Sequence, residues 1–101
     1  MKIPEKIKIG GNNFKISRGS YRGEFDRDGG ALYWETNDLY LANDMPEDRE
    51  ATCFLHEILH GLNIYLTEEQ ATYISEGLIQ IIRDNNLDFR KESNGKKSKK
   101  R

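Results

Sequence analysis

One cysteine, Cys53, is all the thiol chemistry that this chain of 101 residues possesses. An internal disulfide is therefore excluded, and a lone thiol suits a reducing, cytoplasmic setting. No apolar run approaches the roughly 20 residues that cross a bilayer, which excludes a membrane-spanning helix. The opening MKIPEKIKIGG alternates charged and apolar residues and lacks the apolar block of a secretion signal. No sequence segment is repeated. With hydrophobic residues at 36% and no cross-link, the chain can build one modest core, and a bound metal would add useful stability.

Net charge is also scarce, at −1, but it is unevenly spread. Residues 91–101 hold six basic groups and one acid, a net +5, which leaves ten basic and sixteen acidic groups, a net −6, on the first 90. A tail of Lys, Ser, Gly and Asn has nothing to pack, so the sequence divides into a folded domain over 1–90 and a basic, disordered tail over 91–101. Such a tail solubilises, or tethers weakly to nucleic acid. The acidic body argues against a broad nucleic-acid surface.

What the chain does have is two kinds of periodicity. Ile7 and Ile9 alternate with Lys6 and Lys8, Gly10-Gly11-Asn12-Asn13 supplies turn residues, and Phe14 and Ile16 resume the alternation, which predicts a hairpin. Residues 18–30 are glycine-rich and read as a loop, with a short strand near Tyr21. Residues 31–36 and 39–42 flank Asn37-Asp38 as a second hairpin, with Tyr33 and Trp34 on opposite faces. The period then changes. Ala51, Phe54, Leu55, Ile58, Leu59 and Leu62 follow the spacing of a buried helical face, with Asp44 as the expected N-cap, Pro46 in the first turn and Asn63 as a left-handed stop. Thr67 with Gln70 forms a capping-box pattern opening a second helix, whose apolar face is Ala71, Ile74, Leu78, Ile81 and Ile82, and which ends at Asp84-Asn85-Asn86. Strands first and helices later predict an α+β domain, its helices on one face of a largely antiparallel sheet.

His56 and His60 are the only histidines, and they stand at i and i+4 on the first helix within His56-Glu57-Ile58-Leu59-His60. That spacing lets two imidazoles on one side of a helix reach one zinc ion at about 2.0–2.1 Å. Glu57 is turned about 100° around the helix, away from the ligand shell but within reach of a water at the metal, which is the role of a general base. A catalytic zinc needs a third protein ligand. Glu68, Glu69 and Glu76 on the next helix are the candidates. Glu68 lies at the edge of the apolar face, whereas Glu69 and Glu76 point nearly away from it, so Glu68 is the expected ligand and the other two are the alternatives. Tyr65, Tyr33, Tyr40 and Tyr73 are candidate donors to an oxyanion. Cys53 reads as a small core residue one turn upstream of His56.

The segment Thr52-Cys53-Phe54-Leu55-His56-Glu57-Ile58-Leu59-His60 resembles the active-site helix of gluzincin-type zincins. More narrowly, the chain is similar to small phage and mobile-element proteins related to the ImmA/IrrE-type metallopeptidases. The likeness takes in Ile7-Lys8-Ile9-Gly10-Gly11, the strands before the helix, and Leu66-Thr67-Glu68-Glu69-Gln70. It implies a zincin-like fold, one Zn2+ per chain, and a third ligand that is a Glu followed three residues on by a small residue, which Glu68 and Ala71 match. Thr72 stands where the wider family often has an Asp or Asn four residues after the ligand, and the connection from His60 to Glu68 is shorter by about one helical turn.

The expectation is thus a zinc metallopeptidase, a hydrolase acting on a restricted protein target such as a repressor of a mobile element. A small domain has no second lobe to wall a cleft, which favours narrow over general proteolysis. A zinc-bound interaction module without cleavage is the alternative, and a nucleic-acid-associated protein with a structural metal is a third; the intact Glu57 argues against both. A peptide substrate would pair with a sheet edge, supplied by residues 39–42 or by a strand of the first hairpin.

Overall fold

The computed structural model describes residues 2–20 and 29–90; the strand expected near Tyr21 and the basic tail lie outside the described residues. Two hairpins come first. Strand β1 (Lys6–Ile9) pairs antiparallel with β2 (Asn12–Gly19), and β3 (Gly30–Tyr33) pairs antiparallel with β4 (Asp38–Ala42). The tight turns need left-handed backbone, which Gly10 supplies at φ +61° and Asn37 at φ 56°. Helices α1 (Glu47–Leu62) and α2 (Glu68–Asp84) follow, so the domain is α+β as expected.

The sheet order is β1-β2-β4-β3, with β2 and β4 parallel. This corrects the sequence-based picture in one respect that bears on function. Residues 39–42 form an interior strand, not an edge, and the outer strands of the described sheet are β1 and β3. The reason is apolar area. Leu39, Leu41 and Ala42 are fully buried, whereas β1 carries Lys6 and Lys8, charges that suit an edge.

One face of the sheet is apolar. Phe14, Ile16, Leu39, Leu41 and Ile9 form the core with Phe54 of α1, and each such side chain, once buried, contributes about 1.5–3 kcal/mol. Trp34 closes one end, edge-on to Phe14 at 5.6 Å between ring centroids, while Tyr33 packs on Tyr40 at 5.4 Å. By strand alternation that pair lies on the other face. Trp34 falls in the turn after β3, because the strand expected over 31–36 ends at Tyr33.

Helix α1 lays Ala51, Phe54, Glu57 and Gly61 toward the sheet. A Cβ on Gly61 would fall 2.8 Å from Cδ1 of Ile9, so the glycine permits the close approach of helix and strand. Leu62, expected in the buried face, is exposed at the helix end. Pro46, not Asp44, occupies the N-cap, and Asp44 accepts a hydrogen bond from Ser20 Oγ instead. The start of α1 is held by Arg18, whose Nε and Nη2 donate to the carbonyls of Leu41 and Ala42 and whose Nη2 also pairs with Glu50. Asn63 ends α1 in extended backbone rather than as a left-handed stop, with its side chain accepting from the Tyr65 amide.

Thr67 and Gln70 close the expected capping box at the start of α2, each side chain accepting from the other's backbone N–H at 3.0 Å. Among the described residues only α1 packs on the sheet, and α2 packs on α1 alone. A four-stranded sheet this short is covered by one helix, so α2 forms an outer layer and its apolar side is only partly covered, with Leu78 and Ile81 exposed. Arg83 reaches back to Asp48 at 3.3 Å, tying the end of α2 to the start of α1. Beyond α2, the Arg90 side chain donates to Asp88 and holds that exposed carboxyl down to about 2.

Candidate metal centre

Helical spacing brings His56 and His60 to one side of α1, and the capping box starts α2 so that its first residue, Glu68, faces them. Nε2 of His56 lies 2.9 Å from Oε1 of Glu68 and 3.2 Å from Nε2 of His60, and the other Glu68 oxygen is 3.6 Å from His60. Four ligands arranged tetrahedrally at zinc bond lengths stand about 3.3 Å from one another. These spacings lie near that value, although the two to Glu68 are made by different carboxylate oxygens. One ligand atom from each residue lies within 4.8 Å of the others, so the three side chains could hold one ion at a common metal point. Two imidazole nitrogens and a carboxylate oxygen are also a donor set that zinc accepts. Among the described residues, His56, His60 and Glu68 are the one group of His, Cys, Asp or Glu side chains so placed.

Glu68 itself is exposed, and the two histidines are partly buried. The ring beyond the metal point is also engaged, because Oγ1 of Thr72 lies 3.4 Å from Nδ1 of His56. Thr72, four residues after Glu68 in the sequence, thus presents a neutral hydroxyl to the ring of His56. In the tautomer with the proton on Nδ1, that N–H would donate to the Thr72 oxygen and leave the Nε2 lone pair free for an ion.

Glu57 is buried, at 6% exposure, on the side of α1 that faces β3. A Cβ built on Gly30 would lie 3.3 Å from Cγ of Glu57 and 3.4 Å from its Oε2, so the missing side chain at Gly30 makes room for the carboxylate. Sequence reading did not single out Gly30. Its signal was a glycine at a strand start, a position that often marks a close approach.

An open cleft of about 630 Å3 runs between α1 and α2. His56, Glu57 and Glu68 line it at one end, Thr52 and Ser75 in the middle, and Arg49 at the other. Glu69 and Glu76, the alternative ligands, line this cleft without joining the cluster at the metal point. Cys53 lines it too, partly buried against the core with its sulfur 4.0 Å from that of Met45. Of the tyrosines, Tyr33 and Tyr40 lie on the far face of the sheet, and Tyr65 and Tyr73 are 85% and 81% exposed. Among the described residues no helix is long and apolar enough to cross a membrane.

No protein-family model, curated protein or solved structure matches this chain.

Proposed function

We propose that the protein is a zinc-dependent peptidase with a restricted protein target. The observation that carries this reading is the grouping of His56, His60 and Glu68, two of which, His56 and Glu68, line a cleft that Glu57 also lines. His56 and His60 would hold the ion through Nε2 and Glu68 through its carboxylate. When bound, zinc supplies Lewis-acid activation of a water and of the substrate carbonyl.

The remaining chemistry falls to the chain. Glu57 accepts a proton from the attacking water and delivers it to the departing amine, so one carboxylate serves as base and then acid. Its burial shields the transfer from bulk water. Thr72 fixes the ring of His56, and the capping box of Thr67 and Gln70 fixes the start of α2 and with it Glu68. The outer strand β3, with Gly30 beside Glu57, offers backbone groups to which an extended peptide would pair, bringing its carbonyl next to the base.

Two measurements test the reading. Elemental analysis of purified protein should find about one zinc per chain in wild type and in Glu57→Gln, and loss of metal in His60→Ala. Hydrolysis of an unstructured reporter protein should then fall at least about a hundredfold in Glu57→Gln. A chain that takes up no zinc sinks the proposal. Zinc uptake without any Glu57-dependent cleavage would instead favour an interaction module.

A further inference from the structure

The charges around the cleft are one-sided. Its described lining holds five carboxylates, Asp48, Glu57, Glu68, Glu69 and Glu76, against one cation, Arg49. Three of these acids have assigned partners or roles. Asp48 is paired with Arg83, Glu68 reaches both histidines, and Glu57 is the buried base. Glu69 and Glu76 are left, and neither makes a hydrogen bond or ion pair with another described residue.

Their placement is specific. Glu69, Thr72 and Glu76 follow one another at i, i+3 and i+7 along α2, so they share a side of that helix. The middle member touches His56. The two carboxylates are about 10 Å apart by helical rise, Glu69 directly after the candidate ligand Glu68 and Glu76 about two turns further along α2. Arg49 sits seven residues before His56 on α1, about 10 Å away along the axis and toward the Glu76 end of the cleft. It is too distant to neutralise Glu69, which is the less screened of the two. In a cleft with low-dielectric walls, unpaired like charges focus a field that concentrates ligands of opposite sign.

We infer that this cleft selects a peptide carrying a lysine or arginine within two residues of the bond presented to the metal, its cation held by Glu69 or Glu76. The inference rests on the peptidase reading, since without a metal the cleft has no reacting centre. It goes beyond that reading by naming the charge class of the substrate.

Acetylated dipeptide hydroxamates test it, because the hydroxamate chelates zinc and anchors each probe at the metal whether or not it is cleaved. Lys, Gln or Glu is placed in turn at either of the two positions, with alanine at the other. Binding is measured on zinc-loaded full-length protein. The expected result is that a Lys probe binds about fivefold tighter than its Gln counterpart, as one partly exposed ion pair gives, and the Glu probe weaker than both. In the Glu69→Gln/Glu76→Gln double variant the Lys preference should shrink below about twofold, as it should in 1 M salt. Both residues are exposed, so the double variant keeps the fold. Zinc-dependent binding with no preference among the three probes overturns the inference and leaves the peptidase reading standing. A Lys preference that survives in the double variant also overturns it. If no probe binds in a zinc-dependent way, the metal reading fails and the inference fails with it.

Discussion

The α-carbon of Gly30 lies so close to Glu57 that an added methyl group would stand 3.4 Å from the carboxylate oxygen Oε2. Strand β3 and the proposed general base are therefore one packing unit, and a side chain on the strand there would press on the base. Gly30→Ala tests this coupling. The new methyl also meets the Tyr40 carbonyl at 3.1 Å, so strand or helix must shift by a few tenths of an ångström. Overpacking of this kind costs about 1–3 kcal/mol in denaturant unfolding. Cleavage should fall at least about tenfold, because proton transfer depends on reach, while zinc content stays at wild-type level. Unchanged cleavage would mean that Glu57 does not act from this position.

Thr72 presents a neutral oxygen to Nδ1 of His56. Removing an outer partner of a metal-bound imidazole typically lowers metal affinity by about 10–100-fold. Thr72→Val keeps the shape and removes the hydroxyl, and competition with a chromophoric chelator should show a loss near the lower figure. Thr72→Asp should bind zinc more tightly than wild type, since a carboxylate accepts the Nδ1 proton better than a hydroxyl does. Equal affinities in all three proteins would remove Thr72 from the site.

These contacts show where the sequence was informative and where it was not. Local patterns were legible. The two hairpins, the capping box of Thr67 and Gln70, and the i, i+4 histidines depend on residues within a few positions of one another. Glu68 could be preferred over Glu69 and Glu76 because helical geometry is regular enough to project. What could not be read was non-local. The parallel pairing of β2 with β4 is a choice among strand orders, and alternation within each strand is the same in all of them. A signal was available in Leu39-Tyr40-Leu41-Ala42, whose nearly continuous apolar run suits an interior strand, set against the lysines of β1. Likewise, that α2 touches only α1 follows from how much sheet there is to cover, which no helical period records.

The capping box has a functional consequence, because the residue after the cap is Glu68. Loss of a Thr cap costs about 0.5–2 kcal/mol and lets the first turn fray. Thr67→Ala should show that loss in thermal unfolding of the metal-free protein. It should also weaken zinc binding, since the carboxylate then has to be ordered when the ion arrives. Thr67→Asp restores a capping oxygen and should recover both properties. Recovery of stability without recovery of zinc affinity would show that the cap supports the helix but not the ligand.

Because α2, among the described residues, packs on α1 alone, a metal joining His56 and His60 to Glu68 would add a further link between the two helices at the start of α2. A ligand at a hundred times its dissociation constant stabilises the native state by about 2.7 kcal/mol. For a domain of this size that amounts to a rise in Tm of about 10–20 °C. The gain should be unequal across the fold. The sheet core, with Phe14, Leu39 and Leu41 fully buried, opens only with global unfolding, whereas α2, with Tyr73, Leu78 and Ile81 exposed, can detach first. Hydrogen exchange with and without zinc should therefore show the larger slowing in the amides of α2, and the difference should vanish in His60→Ala. A uniform slowing in sheet and helices would mean that α2 does not open on its own. No slowing at all, at zinc concentrations that saturate the wild-type protein, would place the bound ion elsewhere.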